Sequence, residues 1–252
     1  MKKYCIFILV VFNSISIVQA QDYEGFMKQA AIQEQQMKEN EALNTYKQAL
    51  IVKPDAIAPL LKCSTLSLYI ACRESNKDVI IKLLDEAKTY VYQILKIDIN
   101  NYEAYYLMAG ISGKYTEVED EKKKIVSYVK DIKTFADKAI QINPSYGKAW
   151  HVLGKWHYEV SNLSGLKKTA IKLFYGGMPD ASLEEAIKCY EKCLTLDPSY
   201  ILNYVELAKA YRDNNESIKE SNILQRTLKL PARTLADLDL KIRAKTRLEE
   251  LQ

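Results

Sequence analysis

Few residues in the sequence are arranged for covalent chemistry. The two histidines, His151 and His157, are six positions apart, which puts them about 240° apart around a helix, so they cannot share one ligand. The sequence has no Gly-x-Ser-x-Gly or His-Glu-x-x-His motif, and residues 110–115 lack the spacing of a phosphate-binding loop. We therefore predict that the protein is not an enzyme and uses no cofactor.

Cysteine thiols are the second group that could do chemistry. Cys63 and Cys72 would lie on opposite faces of a shared helix, because they are nine residues apart. Cys189 and Cys193 would share a face, yet a disulfide within one helical turn has poor geometry. A zinc site would need further ligands, and only the two histidines could supply them. We expect small, buried cysteines and no metal.

The composition predicts a folded and nearly neutral protein. Of 252 residues, 48% are hydrophobic and 27% are charged, and the 8 Gly and 6 Pro are too few for a disordered or fibrous chain. Lys and Arg total 36 against 32 acidic residues, a formal net charge of +4. A dedicated nucleic-acid-binding protein would carry a larger basic excess, so we expect no nucleic-acid partner.

The first twenty residues have the pattern of a cleaved secretory signal peptide. Lys2 and Lys3 precede an apolar run over 5–12, and residues 18–20 are suited to signal peptidase. The run is short for a membrane span, and an uncleaved N-terminal anchor is the alternative. We expect an exported protein, periplasmic or secreted, with no stable membrane span after cleavage.

The rest of the chain is organised as a helical repeat. Four similar stretches each close a helical pattern, at 50–54, 95–99, 140–144 and 194–198. In each case the residues 5, 8 and 12 positions before the last residue of the stretch are small or large apolar residues, and they would lie on one face of a helix. Counting forward by 6, 9 and 10 positions reaches a large, an apolar and a small residue. Helix pairs with the same packing positions are therefore predicted in series.

This pattern resembles the tetratricopeptide repeat, in which Trp-x-x-Leu-Gly marks the first helix, Ala-x-x-x-Phe the second, and Pro the end. The fourth unit is a near match, with Trp150, Leu153, Gly154, Ala186, Tyr190 and Pro198. Small residues let two helices approach closely, an aromatic ring fills the groove between them, and proline ends the second helix. The units are mostly longer than the usual period of about 34 residues, which predicts long helices or insertions.

We predict an all-α, tetratricopeptide-like α-solenoid of about five helix pairs, wound as a right-handed superhelix. A single domain over 21–252 is expected, because each repeat buries its apolar face only against its neighbours. Its units are predicted at 22–54, 55–99, 100–144, 145–198 with an insert at 161–181, and 199–231, followed by a capping helix at 232–252. Ser182 and Glu185 form a predicted capping box, which begins the second helix of the fourth unit.

The fourth unit also carries a narrower resemblance. The helix pattern Leu-Gly-Lys-Trp-His-Tyr-Glu-Val at 153–160 precedes a lysine-rich insert, Phe-Tyr-Gly at 174–176, and a Glu-Glu-Ala helix after Pro179. This region resembles the regulator of microtubule dynamics family, although Lys155 replaces an arginine and 177–179 differs around the prolines. The resemblance implies a tetratricopeptide scaffold, with members linked to microtubules and, in one branch, to lipid binding at organelle contacts. For an exported chain we carry over the fold and not the microtubule role.

The first helices are expected to line the concave surface of the solenoid. With Trp150 at position 4 of its helix, positions 2, 5, 9 and 12 of that helix and of the next first helix face the groove. The predicted partner-binding residues are Tyr106, Lys148, His151, Lys155, Tyr158, Lys209 and Arg212. Cationic groups that converge with phenols would bind an acidic peptide, a terminal carboxylate or a phosphate group, and ordinary solvated lysines are the alternative.

The insert is predicted to contain an amphipathic helix over 163–174. Its apolar arc consists of Leu163, Leu166, Ala170, Leu173 and Phe174. We expect this arc to pack on the solenoid, with contact to a membrane surface as the alternative.

The predicted function is a non-enzymatic scaffold that holds a protein or peptide partner in the concave groove. The alternative is a carrier of a lipid or another apolar molecule, in a tunnel closed by the insert.

Overall fold

The computed structural model describes residues 22–251, so the predicted signal peptide lies outside the described residues and stays a prediction. Within this range all regular structure is helical. The helices are α1 (22–35), α2 (Glu39–Val52), α3 (Ile57–Arg73), α4 (Lys77–Ile97), α5 (Tyr102–Val118), α6 (Lys122–Ile142), α7 (Gly147–Ser161), α8 (Gly165–Ile171), α9 (Leu183–Leu196), α10 (Ile201–Asp213), α11 (Ser217–Lys229) and α12 (Leu235–Glu250). A π-helical turn, Lys172–Gly176, extends α8. The predicted all-α class is confirmed.

Polar side chains cap the N-termini of α9 and α12. Ser182 accepts a hydrogen bond from the backbone N–H of Glu185 at 3.1 Å, so α9 begins where the sequence predicts. The Glu185 carboxylate does not complete the capping box, because it accepts from Lys188 at 2.5 Å. A complete capping box instead begins α12, where Thr234 and Asp237 each bond the backbone of the other.

The helices pack as consecutive pairs. α3 packs on α4, α5 on α6, α7 on α9 and α10 on α11, while α1 is joined to α2 through Glu34 and Tyr46. The first helices of neighbouring pairs, α3, α5, α7 and α10, also contact one another. Across the described residues, the second helices of neighbouring pairs make at most marginal contact. A stack that is tighter on one side curves toward that side, so the first helices line the concave face.

Small residues bring the paired helices together where they cross. Gly154 of α7 lies against Tyr190 of α9, and a Cβ atom added at Gly154 would lie 2.9 Å from a carbon of the Tyr190 ring. In the first pair, Tyr46 of α2 is buried, and Ala42 and Ala49, about one turn before and after it on the same helix, are fully buried. Small residues on either side of a ring leave room for it between two closely spaced helices. The repeat pattern therefore marks real crossing points.

The insert between α7 and α9 differs from its prediction. The predicted helix over 163–174 is the short α8 followed by the π-helical turn, and both pack on α6. Ile171 is buried, whereas Leu166 is 80% and Leu173 is 71% exposed. The predicted packing of the leucine-containing arc on the solenoid is therefore wrong. Ile171 lies about 140° around the helix from Leu166, so burying Ile171 turns both leucines outward.

An ion pair attaches the last helix to the array. The Arg247 guanidinium donates to both carboxylate oxygens of Glu220 on α11, at 2.7 and 3.2 Å. Glu220 is buried, and a buried carboxylate requires such a partner. This pair therefore fixes α12 on α11.

Candidate functional site

The C-terminal halves of α7 and α10 lie side by side on the concave face and bring together four of the seven predicted site residues. They are accompanied by three carboxylates from the same two helices. We call this set the concave cluster, and it consists of Lys155, Tyr158, Glu159, Glu206, Lys209, Arg212 and Asp213. The two helices meet there because they are first helices of neighbouring units.

The first contact of the concave cluster joins Lys155 to Glu206. The Lys155 ammonium lies 3.4 Å from Glu206 Oε1. Burial is the largest single effect and favours the neutral form of both groups, but the neighbouring charges and the Lys155–Glu206 hydrogen bond together outweigh it, so the pKa of Lys155 is raised and that of Glu206 is lowered. Both side chains therefore stay charged at neutral pH.

The second set of contacts is centred on Tyr158, which is buried. The Lys209 ammonium lies 4.4 Å from the centroid of the Tyr158 ring and 3.9 Å from Glu159 Oε1. The Tyr158 hydroxyl donates to Asp213, which also accepts from Arg212 Nε at 3.1 Å. Burial and then the bond to Asp213 raise the pKa of Tyr158 above its ordinary value, so the phenol stays protonated.

Every cation of the concave cluster thus has a carboxylate beside it. The same arrangement continues on α5, where Lys114 lies 2.7 Å from Glu117. The cations lie together, but the surface carries both signs of charge. Its geometry therefore supplies no preference for an acidic ligand over a neutral one.

His151 and Lys148 lie one to two turns away from the concave cluster and form part of the packing. His151 is buried, with Nδ1 3.1 Å from Asn203 Oδ1. Because Asn203 Nδ2 donates to the Tyr190 carbonyl at 2.9 Å, Oδ1 is the acceptor and His151 Nδ1 is the donor. Burial lowers the pKa of His151 to about 4, so the ring is neutral at pH 7. Lys148 lies over the Tyr200 ring at 5.4 Å.

Tyr106, the last of the predicted residues, belongs to a cluster of tyrosines. It is buried, and its ring meets that of Tyr146 edge-on at 5.4 Å. Burial, followed by the nearby phenols of Tyr200 and Tyr69, raises the pKa of Tyr106 well above its ordinary value. Tyr106 therefore lies in the interior, near Tyr69 of α3 and the tyrosines that precede α7 and α10, and apart from the concave cluster.

The acidic half of the concave cluster was not predicted from the sequence. Glu206 and Asp213 each come directly after a residue that was predicted to face the groove. A prediction that also included the next position along the helix would have found both carboxylates. Trp156 likewise bonds a neighbouring helix, because its Nε1 donates to the Val129 carbonyl on α6 at 2.9 Å. Neither partner could be chosen from spacing within one helix.

The other chemical groups form no further centre in the described part of the chain. Among residues 22–251, no three His, Cys, Asp or Glu side chains come together in a way that could hold a metal ion. Three free cysteines, Cys63, Cys189 and Cys193, are buried, and burial raises the pKa of each to about 12. Cys72 is exposed at the end of α3. No helix of this range combines the length and apolarity that crossing a bilayer requires.

The paired helices, the small residues at their crossings and the concave first-helix surface define a tetratricopeptide-like solenoid. Its backbone is similar to that of a thermophilic tetratricopeptide-repeat protein of Thermus thermophilus, with a TM-score of 0.62 at 13% sequence identity. The match covers 92% of this chain and 99% of that one. The likeness concerns the fold alone.

Residues 26–252 match the family model described as Regulator of microtubule dynamics protein 1-3, and the chain belongs to this family. The similarity that the fourth unit indicated is thereby confirmed. Regulator of microtubule dynamics protein 3 of Xenopus laevis is 29% identical over 60% of this chain and 33% of its own length. Regulator of microtubule dynamics protein 1 of Caenorhabditis elegans is 23% identical over 67% and 74%. The chain thus spans only a third of the Xenopus relative.

Proposed function

We propose that the protein is a non-enzymatic scaffold that holds an extended segment of a partner protein against the concave cluster. The observation that carries the proposal is a half-exposed array of paired charges on the inner surface of the stack. The side chains of Lys155, Lys209 and Arg212 are 46%, 41% and 43% exposed. An extended peptide alternates N–H and C=O groups, and a surface with both signs of charge can bind both.

The lipid-carrier alternative receives no such support. Its tunnel requires the insert to lie across the first helices, whereas α8 and the π-helical turn pack on α6, a second helix. The curated relatives are named for microtubule regulation, and that name does not define the partner of this chain.

The proposal is tested by photo-cross-linking from two positions of one helix pair. A benzophenone amino acid replaces either Glu159, which is 57% exposed on α7, or Lys192, which is exposed on the outer helix α9. Each protein is irradiated in an extract of its native host. We expect a discrete protein adduct from position 159 and none from position 192.

A competition experiment shows whether the adduct depends on the paired charges. Excess unlabelled wild-type protein should abolish the adduct at position 159, and a Lys155→Glu, Lys209→Glu protein should compete at least about tenfold less well. The matched control is a Lys155→Glu, Glu206→Lys exchange, which keeps the net charge and the pair and should compete better than the double variant. Equal adducts from both positions, or equal competition by every variant, would refute the proposal.

A further inference from the structure

The insert exposes apolar side chains that no other part of the described chain covers. Leu166 and Leu173 are 80% and 71% exposed, and Phe174 and Met178 are each 38% exposed. We call these four residues the insert face. We propose that the insert face docks the protein onto the surface of an anionic membrane, without spanning it.

The backbone of the insert holds the two leucines of the insert face on one side. Leu166 and Leu173 are seven residues apart, about two helical turns, so they point in nearly the same direction. The opposite side is attached to the solenoid, because Ile171 is buried and Lys130 of α6 lies 5.0 Å from the centroid of the Tyr175 ring. The insert face therefore cannot turn inward without breaking these contacts.

The charge of the insert identifies what covers the insert face. Residues 161–179 contain three lysines and no acidic residue, and Lys167, Lys168 and Lys172 are all exposed. No ion pair in the described chain engages these lysines, in contrast to the paired cations of the concave cluster. At 100° per residue, Lys167 and Lys172 lie about 100° and 120° to either side of Leu166, so the apolar strip has an unpaired lysine on each side. Such a strip is complementary to lipid chains beneath anionic headgroups.

The docked arrangement follows from the lengths of the side chains. The leucines and Phe174 would enter the boundary between headgroups and acyl chains, and the lysine ammonium groups would remain at the level of the phosphates. The insert packs on α6, a second helix, so the concave cluster on the first helices would stay free to bind a partner.

A fluorophore in the insert tests the proposal, because it reports on the insert whatever the rest of the chain does. Nitrobenzoxadiazole is attached at Leu173→Cys in a chain that also carries Cys5→Ser and Cys72→Ser; the other cysteines are buried. The control chain carries the same label at Lys96→Cys, an exposed position on α4. Both are titrated with phosphatidylcholine vesicles that contain or lack phosphatidylserine. We expect a blue shift and higher emission only from position 173 and only with phosphatidylserine.

Charge and apolarity are then separated by variants of the labelled chain. Reversing the three insert lysines to glutamate should weaken vesicle binding about a hundredfold, at about fivefold for each lysine lost. The matched control reverses Lys28, Lys82 and Lys192, which are exposed outside the insert, and should weaken binding less than tenfold. Leu166→Asn should weaken it several-fold, since it removes apolar area from the insert face.

Three results would overturn the proposal. One is the absence of any spectral change at position 173 with either vesicle, which would leave the insert face to a protein partner. Another is an equal loss of binding on reversing the insert lysines and the control lysines, which would indicate attraction by overall charge. The third is vesicle binding that stays unchanged both in the Leu166→Asn variant and in the variant with the three insert lysines reversed.

Discussion

Replacing Gly154 by alanine tests the close crossing of α7 and α9 on which the fold depends. A Cβ atom at this position would lie 2.9 and 3.0 Å from two carbons of the Tyr190 ring and 3.1 Å from the backbone oxygen of Ala186. Tyr190 is fully buried and a backbone oxygen cannot rotate away, so the two helices must separate. Overpacking usually costs about 1–3 kcal/mol, and a contact with backbone that cannot move aside belongs to the upper part of this range, about 2–3 kcal/mol, while alanine in place of glycine gains about 1 kcal/mol of helix propensity. We therefore expect a net destabilisation of about 1–2 kcal/mol.

Two other glycines provide matched controls for Gly154. Gly113 and Gly110 also lie inside a helix, α5, so the gain in helix propensity is the same. The nearest atom to a Cβ at Gly113 is Ile132 Cδ1 at 4.0 Å, so Gly113→Ala should stabilise the protein by about 0.5–1 kcal/mol. At Gly110 the Cβ would meet the flexible end of Leu68 at 3.0 Å, and the change should be nearly neutral.

Urea denaturation of the three variants and the wild type measures this order. Far-ultraviolet circular dichroism reports on all helices and tryptophan fluorescence on α7, which carries Trp150 and Trp156. Agreement of the two probes would justify a two-state free energy of unfolding. If Gly154→Ala were as stable as the wild type, or as stable as Gly113→Ala, the close crossing of α7 and α9 would not be what this glycine provides.

Two further predictions concern the capping helix and pH. Arg247→Met should lower the free energy of unfolding by about 2 kcal/mol, because it leaves the buried Glu220 carboxylate unpaired. The matched surface change Arg243→Met should cost less than about 0.5 kcal/mol, and equal losses in urea denaturation would contradict this account. The folded-state pKa of His151 is about 4 against an ordinary 6.5, so between these values the unfolded chain binds a proton that the folded chain does not. The contribution of His151 to stability is therefore full above about pH 6.5 and decreases as the pH is lowered. Relative to His151→Gln, the wild type should lose about 2 kcal/mol of its free energy of unfolding between pH about 7 and 5. Parallel pH profiles of the two proteins would refute this prediction.

The order and kind of the helices could be predicted from the sequence because their determinants are local. Ser182 begins α9 by bonding a backbone N–H three residues away, and this requires no other helix. Tyr190 and Gly154 recur at the phase that the other units use, and this phase predicted their burial at a crossing. Periodicity alone therefore predicted an all-α repeat architecture.

Only the tertiary structure decided which charges meet and which way the insert turns. Lys155 and Glu206 are 51 residues apart and pair because α7 and α10 lie side by side, so no spacing within either helix indicates the contact. A basic groove predicted from one helix face became a surface of paired charges once the neighbouring face was known. In the insert, burial of Ile171 instead of Leu166 depends on the direction from which α6 packs against it. A helix has several apolar arcs, and the one that is buried is set by the neighbour it meets.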